Sequence, residues 1–220
     1  MPDFKEILQV PGSNLIVGLF SAAQDELFTW SGSQSRFPER DLTEYSLHRQ
    51  LEHAAVDAAM ERMPSGLAEA AIAHNADGKP EFTHSELGFL SIAHHTEDDT
   101  CFVVVATGGE AVGCDIEAER PQLKRIANRF LNPAELDTTG DALEGLCAIW
   151  AAKEAVFKAF GPGLDFREDI GVEWHGPEEA VHRGLTVTLR DESLQFSARR
   201  HHRLEGPALW VVFGPVDQLN

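Results

Sequence analysis

From Ala142 to Phe160 the chain is apolar on almost every side, with Leu146, Ile149, Ala151, Ala152, Ala155, Val156, Phe157 and Phe160 leaving no wide polar face. A surface helix shows a single apolar stripe, whereas a helix that is apolar all round belongs inside a fold. Gly161-Pro162-Gly163 ends the pattern with residues that stop helices. The same stretch nevertheless carries Lys153, Glu154 and Lys158. Charges on a nearly buried helix need partners, because an unpaired buried charge is very costly. The rest of the chain must supply them.

Trp150, Glu154 and Lys158 recur at i, i+4 and i+8 and form one stripe, while Lys153 lies about 100° to one side. A surface ion pair between Glu154 and Lys158, worth about 0.3–0.5 kcal/mol, is the plainer account. The all-round apolar character argues against it.

Partners of suitable chemistry lie upstream, in Val112-Gly113-Cys114-Asp115-Ile116-Glu117. Read as a strand, this segment puts Asp115 and Glu117 on one face and Ile116 into the core. Gly113 marks a close approach of a ligand or another backbone. Alone, the segment reads as an edge strand with solvated acids, since D-x-E is a common tripeptide. Together with Glu154 it offers three carboxylates, the donor set of a hard divalent cation, and the lysines suit a phosphate held against that cation.

Two further cues fit a phosphate-bearing ligand. Lys79 sits in the turn Gly78-Lys79-Pro80, and His94-His95 close a strand at a sheet rim. Each has an ordinary solvated reading too. Zinc is disfavoured at the histidines, because no Cys pair or third His lies at ligand spacing.

The chain of 220 residues is long enough for one large or two small domains with a real core. Its 43% apolar and 25% charged residues are ordinary for a soluble protein. No run reaches transmembrane length and the start lacks a signal-peptide pattern, so a cytoplasmic protein is expected. Cys101, Cys114 and Cys147 share no metal spacing and read as buried thiols. A formal charge of −18 opposes binding to nucleic acid or an anionic membrane. It would repel an acidic protein as well, unless a basic patch is presented. Arg120, Lys124, Arg125 and Arg129 form such a patch, with no acid from 120 to 130.

Strands are expected near 14–22, 89–93 and 102–106, with a helix between 41 and 63, a loop around Ser31 to Ser35 and a turn at 77–80. Gly108-Gly109 is the best boundary, giving halves of residues 1–109 and 110–220. The second half offers the strand 112–117, a helix from about Leu123 to Phe130, a further start at Asn132-Pro133 and the long apolar helix. Strands near 185–189, 194–198 and 209–213 complete it. The fold class is α/β (α+β).

Five ordered blocks resemble the motifs of 4′-phosphopantetheinyl transferases of the larger, surfactin-synthetase-activating type. They are Gly78-Lys79-Pro80, Ser91-Ile92-Ala93-His94-His95, Gly113-Cys114-Asp115-Ile116-Glu117, Ile126-Ala127-Asn128-Arg129-Phe130 and Trp150-Ala151-Ala152-Lys153-Glu154-Ala155-Val156-Phe157-Lys158. Gly163-Leu164-Asp165-Phe166 also resembles the segment just beyond the helix in that family.

The resemblance implies a pseudo-twofold pair of similar halves, each a small sheet packed with a long helix, with the active site in the cleft between them. It implies transfer of 4′-phosphopantetheine from coenzyme A to a serine of an acyl or peptidyl carrier protein, releasing adenosine 3′,5′-bisphosphate. Carrier proteins of fatty acid, polyketide or non-ribosomal peptide synthesis are the implied partners. Asp115, Glu117 and Glu154 would hold Mg²⁺, which Mn²⁺ could replace, and Glu154 would deprotonate the serine directly or through a water. Lys153 would contact the pyrophosphate, and Lys158 would stabilise or protonate the leaving group. Lys79, His94 and Arg49 would grip coenzyme A phosphates, and the carrier would dock near Arg120, Lys124, Arg125, Arg129 and Phe130. A monomer would suffice.

The resemblance departs at Ala93, where a serine is usual, and at the N-terminal lysines, for which Arg36 and Arg40 are the substitutes. Two other readings remain open. A catalytically inactive relative would bind coenzyme A or a carrier without turnover, and a metal-dependent phosphodiester hydrolase would use the same acids.

Overall fold

The computed structural model describes residues 5–10, 14–23, 36–140, 142–175, 182–203 and 205–216. The loop expected around Ser31 to Ser35 lies outside them. The chain divides into two compact units, Met1–Ala111 and Val112–Asn220.

The first unit is built on a four-stranded antiparallel sheet. Its strands are β1 (Lys5–Gln9), β2 (Ile16–Ala23), β5 (Phe89–Glu97) and β6 (Thr100–Gly108), in the order β1-β2-β6-β5. The central strand β6 alternates Cys101, Val103 and Val105 toward one hydrophobic cluster. Helix α1 (Leu47–Met60) packs on that face with Ala54, Ala55, Val56, Ala58, Ala59 and Met60. Ser46 caps its start by accepting from the Arg49 N–H. The short hairpin of β3 (Ile72–His74) and β4 (Pro80–Phe82) lies beyond the helix in sequence and escapes the sequence pattern because each strand is only three residues long.

Arg36 is buried in this unit. Its guanidinium pairs with Asp57, itself 2% exposed on α1, and donates to the carbonyls of Ala68 and Ala70. A buried carboxylate on a helix needs such a partner. Arg36 is therefore committed inside the unit and does not serve as a phosphate-gripping substitute.

The second unit has a five-stranded antiparallel sheet in the order β7-β11-β10-β9-β8. The strands are β7 (Gly113–Ala118), β8 (Ile170–His175), β9 (His182–Leu189), β10 (Glu192–His201) and β11 (Leu209–Gly214). Helix α2 (Gln122–Phe130), the short α3 (Pro133–Thr139) and the long α4 (Leu143–Phe160) connect β7 to β8. As its composition demands, α4 is the buried spine: ten of its eighteen residues are buried, which places it inside one extended cluster with β8 to β11.

Gly113 decides how close α4 comes to β7. A Cβ there would lie 1.8 Å from the Ala155 carbonyl oxygen, so any side chain would push the helix off the strand. The backbone that Gly113 admits is thus that of α4. This close approach lays the charged stripe of α4 against the strand acids.

Candidate functional site

Asp115 and Glu117 share a face of β7, as alternation requires. Their side differs from expectation. Asp115 pairs across the ladder with Val212 and Glu117 with Trp210, and both partners belong to the helix-covered core. Residues directly opposite in an antiparallel pair share a face. The acids therefore point to the α4 side, and Ile116, paired with Val211, points the other way. β7 is an edge strand, but its acids are not solvated: each is 7% exposed.

Two cations answer them. The Lys158 Nζ donates to Asp115 Oδ1 at 2.6 Å, and Arg120 donates to Glu117 Oε2 at 2.9 Å. Glu117 also accepts from the Ala118 N–H, and Cys147 Sγ reaches the Glu117 carbonyl. Burial raises the Glu117 carboxyl above its ordinary range, Arg120 opposes the shift and Asp115 adds to it. Glu154, half-buried on α4, is pushed up to about 7, first by burial and then by Asp115 and Glu117, with Lys158 opposing. Burial also pulls Lys158 down, yet Asp115 and Glu154 outweigh it, so its ammonium is held above the usual lysine range. The structure thus gathers Asp115, Glu117, Glu154 and Lys158 into one electrostatic group.

As the side chains stand, no group of three His, Cys, Asp or Glu residues is ready to hold a metal ion among the described residues. Two of the acids are turned to monovalent cations instead. The donor chemistry still fits a hard divalent ion, because three carboxylates repel one another here and two of them carry raised pKa values.

Lys153 requires a correction. It is 0% exposed, and its ammonium is ringed by Glu135 Oε2 at 2.7 Å and the carbonyls of Phe130, Phe166 and Ile170 at 2.6–2.8 Å. An ammonium has three protons, so every one is already engaged. The 100° offset from the Glu154 stripe turns Lys153 inward, and it does not face a pyrophosphate. Sequence reasoning misses its partner Glu135, although Asn132-Pro133-Ala134-Glu135 carries the spacing of a capping box, and that box is formed.

Phe130 is also placed differently from expectation. It is 1% exposed and packs edge-on against Trp150 at 5.0 Å, so its ring cannot meet a partner. Lys124, Arg125 and Arg129 are exposed on α2 and keep the basic face.

In the first unit, a cavity of about 500 Å³ is lined by Arg40, His48, Arg49, Glu52, His53, His74 and His94, with Phe37 and Ile92 among its apolar walls. Arg49 and His94, both expected from sequence, line it, and Gly78 and Pro80 bring the Lys79 turn to its rim. Of the two arginine substitutes, Arg40 is here and Arg36 is not. Glu52 Oε1 lies 3.1 Å from His48 and 3.4 Å from His94. His53 stacks on Tyr45 and meets Phe37 edge-on. Burial lowers it to about 4, helped by the positive field of Arg40, His74, His94 and Arg49. Burial and Arg40 lower His74 too. In a chain of net charge −18, this pocket brings two arginines together beside Glu52.

Sequence reasoning misses His48, His53 and His74. Isolated histidines carry no signal until α1 and the β3–β4 hairpin bring them together.

Residues 111–209 match the 4′-phosphopantetheinyl transferase superfamily. The matched segment begins one residue before the second unit and contains Asp115, Glu117, Glu154 and Lys158. It supports a reaction of the phosphopantetheinyl-transfer type and enzymatic activity. No curated protein matches the chain.

Proposed function

We propose that the protein transfers 4′-phosphopantetheine from coenzyme A to a serine of an acyl or peptidyl carrier protein. The observation that carries this reading is the gathering of three carboxylates and Lys158 on β7 and α4, inside the segment that matches the superfamily.

In this reading the serine Oγ forms a bond to the phosphorus on the pantetheine side of the pyrophosphate. The bond from that phosphorus to the bridging oxygen breaks, and adenosine 3′,5′-bisphosphate leaves. Asp115, Glu117 and Glu154 would hold Mg²⁺, which would supply charge neutralisation at the transferred phosphoryl group. Glu154 would take the serine proton, directly or through a water, as a carboxylate positioned beside the nucleophile. Lys158, which donates to Asp115, would offset charge on the departing oxygen.

The pocket of the first unit suits the phosphates of coenzyme A, with Arg49 and Arg40 as its cationic side chains, His94 on its wall and Lys79 in the turn between Gly78 and Pro80. The exposed Lys124, Arg125 and Arg129 of α2 suit an acidic carrier. The similarity of the two halves belongs to the same reading.

The test is intact mass spectrometry of an apo carrier protein incubated with this protein, coenzyme A and Mg²⁺. The expected result is a gain of one phosphopantetheine that is lost with EDTA. A protein that binds coenzyme A and modifies no carrier is an inactive relative. One that neither binds coenzyme A nor modifies a carrier overturns the proposal.

A further inference from the structure

We infer that Lys153 is a positioning residue that fixes the rotation and axial setting of α4, and through them the placement of Glu154 and Lys158. The inference rests on the transferase reading for its catalytic readout, but its structural part stands apart from it.

The four oxygens around Lys153 Nζ come from four places: the last residue of α2, α3, the segment after α4 and the first residue of β8. Glu135 extends the junction. Its Oε2 also accepts the Asn132 N–H, and its Oε1 accepts the Val172 N–H on β8, both at 2.8 Å. One buried ammonium and one buried carboxylate thus tie two helices and an edge strand to a single point on α4.

An anchor of this kind answers a specific weakness of α4. The helix is faced with Ala148, Ala151, Ala152, Ala155 and Ala159, all buried. Apolar burial is non-directional, and alanines form shallow ridges, so a small slide or twist of such a helix changes little buried area. A hydrogen-bonded ammonium, by contrast, tolerates little displacement. Buried polar groups can fix register at a cost in stability. Here the register has a consequence, because Glu154 is the next residue and Lys158 lies five residues on, bonded to Asp115.

The test uses Lys153→Met and the double variant Lys153→Met/Glu135→Gln. The single change to Met leaves a buried carboxylate without its cation and lowers the thermal midpoint. The double variant removes that stranded charge and keeps an amide oxygen to accept the Val172 N–H. The expected result is a midpoint restored from that of Lys153→Met toward wild type, with kcat reduced at least tenfold, KM for coenzyme A within twofold, and faster hydrogen exchange or shifted amide signals at Gly113 and Ala155. Should kcat recover along with the midpoint, Lys153 would be structural only. A rise in KM alone, with unchanged amide signals, would return Lys153 to ligand contact and overturn the inference. If the wild-type protein transfers nothing, the transferase reading fails by itself. The amide signals of the double variant then decide the inference: unchanged signals overturn it.

Discussion

The two candidate sites are built in opposite ways. In the second unit, four groups from two neighbouring elements lie close together and largely buried: Asp115 and Glu117 on β7, Glu154 and Lys158 on α4. In the first unit, the cavity draws side chains from the segment before α1, from α1, from the β3–β4 hairpin and from the middle of β5. Its Arg49 and His94 are exposed. Chemistry that depends on mutual charge, such as gathering three acids, needs a dry and rigid setting, because burial strengthens every interaction among them. Gripping a phosphate needs cations that water can still reach, and it tolerates a looser frame.

This contrast is most open to challenge at Glu154. Glu154→Gln keeps the shape and removes the charge, and it should lower the transfer rate by about 10²–10⁴-fold in single-turnover assays. Activity within tenfold of wild type would remove Glu154 from the chemistry and leave the acidic group without a catalytic member.

The first unit should answer differently. Arg49→Ala alters an exposed side chain, so the folding stability should stay within about 0.5 kcal/mol of wild type. Saturation kinetics should show KM for coenzyme A rising about tenfold, the worth of one charge-assisted phosphate contact, with kcat nearly unchanged. A fall in kcat with constant KM would erase the distinction between the two sites.

The remaining prediction concerns stability and belongs to His53. Its folded pKa of about 4 lies below the ordinary 6.5, so the unfolded chain binds more protons between those values. Stability is therefore lost as pH falls from 6.5 toward 4, by about 1–3 kcal/mol for this group. His53→Phe should flatten that slope in urea titrations at several pH values while keeping the stack on Tyr45. An unchanged slope would mean that neither burial nor the positive charges of the pocket hold His53 down.

Lys153 and Lys158 show on one helix what is legible in the chain and what is not. Their spacing from Glu154 puts Lys158 on its stripe and Lys153 off it, and the structure agrees. What Lys153 does is hidden, because its acceptors are three carbonyls and a capping-box glutamate from distant segments. Backbone carbonyls carry no sequence signature. The face of Asp115 and Glu117 is legible as a shared one, but its side is inverted, since polarity alone suggests exposure. Phe130 has basic neighbours that suggest a docking surface, whereas its position on α2 turns it to Trp150.

By itself the sequence determined the longer strands and helices, the buried character of α4, the glycine that lets another backbone close in on β7 and the shared face of two acids, but not β1, β8 or the β3–β4 hairpin. These come from side-chain periodicity and local backbone chemistry, which act over a few residues. The tertiary structure alone decided which charges became partners: Lys158 with Asp115, Lys153 with Glu135, Arg36 with Asp57. It also decided which histidines met in a pocket. Ion pairs and cavities depend on where segments far apart in the chain come to rest, and the strength of each depends on burial that no short stretch of sequence specifies.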